Sequence, residues 1–177
     1  SNEVTGISIE DSFKNLIRLL DKHLERRPYI FGKRPSIADF ALWGHIYNAN
    51  NDVTANVFIQ KYAPKLNDWI ERMLDPKEKG SFEEWQELKP TLLPLIKEEV
   101  SEVFLQWVNA NNEAVKNSKD QLSIILKGRP FTHKLTSVQK FHAKSFGLLM
   151  EHYKTVSQDQ ELREILVETG VKEYLNA

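Results

Sequence analysis

The stretch "RPYIFGKRPSIADFALWGHIY", residues 27–47, decides the fold. A turn of Gly, Pro and cations, "FGKRP" (31–35), runs without pause into Ser36-Ile37-Ala38-Asp39 and then into one of the most apolar segments of the chain. Ser36 stands where a helix N-cap belongs, three residues ahead of an acid. Its hydroxyl is placed to accept the N–H of Asp39, while the Asp39 carboxylate reaches back to the N–H of Ser36, the reciprocal arrangement of a capping box. The acid also suits the positive end of the helix dipole. Pro35 and Phe40 take the two positions of a hydrophobic staple. With its oxygen committed to a main-chain donor, Ser36 reads as a cap and not as a nucleophile. Loss of such a cap costs about 1 kcal/mol.

Helical spacing spreads outward from this point. On the N-terminal side, Phe13, Leu16, Ile17, Leu20 and Leu24 form one stripe of an amphipathic helix from Ile9 to Arg26, ended by Pro28 and Gly32. The helix that begins at Ser36 runs to about Asn48, and a shorter one follows from Asp52 to Tyr62. Pro64 then opens "KLNDWIERML" at a first helical position, where a missing N–H is tolerated. "DPKEKGS" (75–81) reads as an exposed loop. A long helix is expected over Thr91 to Lys116, with Pro94 in its first turn and the acids of residues 84–102 on its wet face. "QLSIILKGRPFTHKL" (121–135) breaks the rhythm and predicts a short β-hairpin around Gly128. Helical spacing returns over Ser137 to Tyr153 and Gln158 to Thr169, with Gly170 as the stop. The expectation is an all-α bundle, residues 1–177 as a single domain, with one β excursion.

Bulk properties exclude several function classes. Formal net charge is −1, so no global field draws the chain to nucleic acid or anionic lipid, and neither partner is expected. The absence of cysteine removes thiolate catalysis, disulfides and Cys-ligated metal, which suits a reducing, cytoplasmic setting. No apolar run approaches the ~20 residues of a membrane span. The chain opens "SNEVTG" without an initiator Met and reads as an excised piece of a longer protein.

The five histidines, His23, His45, His133, His142 and His152, show no i, i+3 or i+4 pair, so no metal site is expected. His45, inside "FALWGHIY", reads first as a hydrogen-bonded core or interface histidine and second as a substrate contact. Trp43, Tyr47, Trp69 and Trp107 sit at helical intervals among apolar neighbours and read as core. Trp43 and Tyr47 share a helix face as i and i+4, and together with His45 they are the candidate substrate-binding residues. "GKR" (32–34) and "LKGRP" (126–130) lack the glycine spacing of a phosphate loop. No Ser-His-Asp set or paired-carboxylate constellation can be argued from spacing, so no catalytic residue is assigned.

"PYIFGKRPSIADFAL" (28–42) closely resembles the C-terminal helical domain of glutathione S-transferases, and "KYAPKLNDWIERM" (61–73) resembles that family's following segment. "EVFLQWVNANNEAV" (102–115) and "GRPFTHKLTSVQKFHAKSFGLLMEHY" (128–153) are similar to the tails of certain bacterial transferase-like proteins. The resemblance implies a buried capping box at the start of a central helix. It also implies a preceding thioredoxin-like domain that binds glutathione and supplies the thiol-activating residue. No such β-α-β pattern occurs here, and counting back from Ser36 leaves residues 1–8 for the family's first helix, which reads as missing. The implied role is then the substrate side of a glutathione-dependent enzyme, binding no cofactor itself and inactive alone, with the thioredoxin-like domain as partner and a homodimer as a further expectation. The same resemblance extends to helical domains of elongation factor gamma subunits and some aminoacyl-tRNA synthetases, which implies the alternative of a protein-docking module. A third reading, a small-molecule carrier, requires a closed apolar pocket between helices.

Overall fold

A computed structural model of the chain describes residues 3–175. The fold is all-α apart from one two-stranded hairpin. In chain order the elements are α1 (Glu3–Leu24), α2 (Ile37–Asn50), α3 (Val53–Tyr62), α4 (Pro64–Arg72) and α5 (Trp85–Leu95). A π-helical segment (Ile96–Leu105) and α6 (Gln106–Lys116) follow. The hairpin β1 (Gln121–Leu126) and β2 (Arg129–Lys134) comes next, then α7 (Ser137–Val156), α8 (Gln160–Glu168) and a 3-10 turn (Val171–Tyr174). The described residues fall into two compact units: Lys14–Leu95, and the residues up to Phe13 with those from Ile96 onward.

The first unit is built on the stripe read from the sequence, with Ile17, Leu20 and Leu24 buried. Ile59, Leu66, Trp69 and Ile70 are also fully removed from water. Pro64 opens α4 as expected, and this helix receives a cap from a distance. Ala63 has no polar side chain to offer, and instead the Asp21 carboxylate of α1 accepts the N–H groups of Lys65 (2.7 Å) and Leu66 (3.0 Å). An acid at the positive end of a helix that starts with Ala-Pro satisfies two orphan donors at once.

One expectation fails near the end of this unit. Helix starts at Trp85 and not at Thr91, so Pro90 and Pro94 both lie inside α5 rather than in a first turn. Pro94 has no N–H to give the Pro90 carbonyl four residues back, leaving a gap in the α ladder. Two residues later the chain passes into π-helical register, a wider winding that often accompanies such a defect.

In the second unit, Leu122, Leu126 and Phe131 of the hairpin pack with Ala114 of α6. Leu105 and Val108 pack with Phe146 of α7. Glu99 corrects a second expectation. It lies on the buried side of the π segment, not the wet one, where its carboxylate accepts Lys127 Nζ at 2.9 Å and the Ser12 hydroxyl. Gly170 ends α8 with φ 75°, the left-handed conformation expected of a helix stop.

Candidate functional site

Asp39 organises the start of α2 and does more than the capping box required. Its side chain is wholly buried. Oδ2 accepts the Ser36 N–H (2.9 Å) and the Ser36 hydroxyl (2.7 Å). Oδ1 accepts the Ile30 N–H (2.8 Å) and the Trp69 indole N–H (3.1 Å). The Asp39 N–H lies 3.0 Å from the Ser36 carbonyl. The Ser36 hydroxyl is thus a donor to the carboxylate, a role the sequence reading did not give it. One buried acid pins the preceding turn, the helix start and α4 together.

This anchoring fixes where the next turns of α2 point. Trp43 donates its indole N–H to the Ile70 carbonyl of α4 at 3.1 Å. The Tyr47 ring lies 4.8 Å from Trp43, tilted by 31°. Both are partly buried, and their neighbour one turn earlier, Phe40, is 52% exposed. Phe40, Trp43 and Tyr47 (i, i+3, i+7) therefore form one half-open aromatic stripe. The staple expected between Pro35 and Phe40 removes little of that ring from water.

His45 does not join them. Two residues from Trp43, it projects roughly 160° away around the helix. It is exposed, which overturns its reading as a core histidine. Of the three candidate substrate contacts, the structure brings together Trp43 and Tyr47 and leaves His45 apart.

A buried polar network that sequence reasoning missed lies in the same unit. His23 is fully buried, with Nε2 2.7 Å from the Ile30 carbonyl and Nδ1 2.8 Å from the Thr91 hydroxyl. Arg27 Nη1 also approaches Nδ1, at 3.1 Å. The carbonyl requires Nε2 to carry the proton, and the guanidinium requires Nδ1 to be the lone-pair nitrogen. Burial above all, with Arg27 adding to it, lowers the His23 pKa to about 4. Arg27 donates further to Glu83 (2.8 Å), to the Thr91 hydroxyl (2.9 Å) and to the His23 (2.9 Å) and Glu87 (3.1 Å) carbonyls. The only sequence signal was an i, i+4 His-Arg pair at the end of an amphipathic helix.

Among the described residues no cluster of three or more His, Cys, Asp or Glu could hold a metal ion, and no helix is long and apolar enough to cross a membrane. A cavity of about 770 Å3 opens in the second unit between α6 and β1. Its lining includes Glu113, Lys119 and Asp120, which does not make the apolar pocket a carrier requires.

Residues 8–72 match the family model described as glutathione S-transferase, C-terminal domain. Over that segment the chain is similar to the glutathione S-transferase C-terminal domain. The matched segment starts inside α1 and ends with α4, so it contains Asp21, His23, Arg27, Ser36, Asp39, Trp43, Tyr47 and Trp69. The match therefore covers the anchored helix start and its aromatic stripe, while the hairpin and α7 lie beyond it. No curated protein and no solved structure matches the chain.

Proposed function

We propose that this chain is the substrate side of a glutathione S-transferase-like protein, in which α2 presents an apolar wall to the acceptor substrate. Glutathione binding and thiol activation belong, on this reading, to a thioredoxin-like domain of the same cytoplasmic protein. The observation that carries the proposal is the Trp43–Tyr47 pair. The indole N–H is already given to the Ile70 carbonyl, so the exposed part of the ring offers only apolar surface. Such a wall suits an aromatic or aliphatic electrophile, its polar group beyond the committed indole N–H is the Tyr47 hydroxyl, and His45 stands off it.

Titration of the chain with an aromatic halide tests the wall. The expected result is saturable quenching of tryptophan fluorescence that Trp43→Phe diminishes and Tyr47→Ala weakens several-fold. Quenching untouched by either change would overturn the assignment. The chain alone is expected not to conjugate glutathione to the halide, and measurable turnover would refute the division of labour.

A protein-docking module is the second reading, favoured by the exposure of Ile37 (87%) and Val53 (79%). If partner docking is the role, Ile37→Asp abolishes assembly with the thioredoxin-like domain and leaves halide quenching unchanged.

A further inference from the structure

The hairpin has two long edges, and only one of them is blunted. At its tip Lys127 and Gly128 have φ of 46° and 77°, the signature of a two-residue I′ turn. Leu126 and Arg129, which flank it, are then a hydrogen-bonded pair, and the pairing alternates down the ladder. Two independent observations fix the same parity. Pro130, with no N–H to donate, stands opposite Ile125 in a non-bonded pair. The Leu135 N–H continues the bonded series to the Asp120 carbonyl at 2.8 Å.

It follows that the main-chain groups of Gln121, Ser123 and Ile125 point away from β2, and those of Pro130, Thr132 and Lys134 away from β1. The β2 edge is obstructed: Pro130 has no donor, Lys134 adds an exposed cation, and the Thr132 carbonyl takes the Thr5 hydroxyl at 3.5 Å. The β1 edge has no such device. Its three outward residues are exposed, uncharged and not proline. Among the described residues, no main-chain bond from outside the hairpin reaches them. The cavity of about 770 Å3 runs beside this edge, with Gln121–Ser123 on one wall and Ala110, Glu113 and Ala114 of α6 on the other.

We propose that the outer edge of β1 binds an extended peptide of a partner protein as a third strand. Three outward residues span roughly 13 Å at a strand's rise, so five to seven peptide residues complete the ladder. Peptide side chains on the side of Leu122 and Ile124 continue the hairpin's apolar face beside Ala110 and Ala114, which selects apolar residues at alternate positions. Glu113 and Asp120 outnumber Lys119 on the walls, which favours a basic residue among them. A lone strand suits this groove better than a second copy, which would bring its own α6 beside its own β1. The site is independent of the acceptor-substrate wall, because no residue is shared.

The test uses the whole chain and a capped seven-residue peptide of alternating valine and threonine with one central lysine. On adding the peptide, the Ser123 and Ile125 amides are expected to gain at least tenfold hydrogen-exchange protection, with the Thr132 amide unchanged. Methylating the peptide nitrogens that face β1 is expected to weaken binding at least tenfold. Ser123→Pro, which removes an outward N–H and leaves the main-chain bonds to β2, does the same, with Ser123→Ala as the control for loss of the hydroxyl contact to Thr132. Should that variant fail to fold, the methylated peptide still decides. Absence of protection at millimolar peptide, equal binding of the methylated peptide, or occupation of the edge by dimerisation of the chain itself would each overturn the proposal.

Discussion

Asp39→Ala is the change that most directly probes why this fold holds. It removes the acceptor for four donors: the Ile30 and Ser36 N–H groups, the Ser36 hydroxyl and the Trp69 indole. The two Ser36 groups are partly exposed and can turn to water. The Ile30 N–H and the Trp69 indole belong to residues that are 6% and 0% exposed and cannot. Each buried donor left unpaired costs about 1–3 kcal/mol, and loss of the helix cap adds about 1 kcal/mol. The expected destabilisation is on the order of 3–7 kcal/mol, a large part of the roughly 5–15 kcal/mol available to a domain. In urea, with a slope of about 1–3 kcal/mol per molar, the midpoint should fall by more than about 1 M. Hydrogen exchange at the Ile30 amide localises the effect, since that N–H has Asp39 as its acceptor. Ser36→Ala is the control. It removes one hydroxyl and leaves the other three bonds, so it should cost about 1 kcal/mol. If Asp39→Ala lost no more stability than Ser36→Ala, or if the Ile30 amide kept its protection, the carboxylate would not be the node described here.

Acid should act through His23. Its folded pKa of about 4 lies below the ordinary 6.5, so the folded state favours the neutral ring. The stability this gives is complete above pH 6.5 and lost as pH falls toward 4, up to about 3 kcal/mol. Proton NMR should show this imidazole neutral at pH 5, and a His23 midpoint near 6.5 would contradict the network. Asp21→Ala should cost about 1 kcal/mol by stranding the Lys65 and Leu66 N–H groups, read as faster exchange of those two amides.

What could be read from the sequence was local. The α1 stripe, the N-terminal Pro64 and the Lys127-Gly128 turn each declare themselves within a few residues, because a helix face, a missing N–H and a positive φ are properties of neighbours in the chain. The acid of Ser36-x-x-Asp39 was legible for the same reason. Its two further bonds were not, since Ile30 and Trp69 come to Oδ1 from 9 and 30 residues away. The Asp21 cap on α4 and the Arg27–Glu83 pair are likewise long-range, at 44 and 56 residues.

Glu99 and His45 both lie where helical phase, and not their neighbours in sequence, puts them. Glu99 was assigned to solvent by α-helical phase, and the phase changes where Pro90 and Pro94 break the ladder and the π segment begins. With more residues per turn, a position counted outward at 100° per residue rotates inward, and Glu99 arrives where Lys127 and Ser12 can pair it. Glu83 precedes the helix altogether and turns in to meet Arg27. His45 has apolar neighbours in sequence, yet residues two apart on a helix project about 160° from each other. The same periodicity that joined Trp43 to Tyr47 required His45 to leave them. Composition placed it inside; phase, which decides, placed it out.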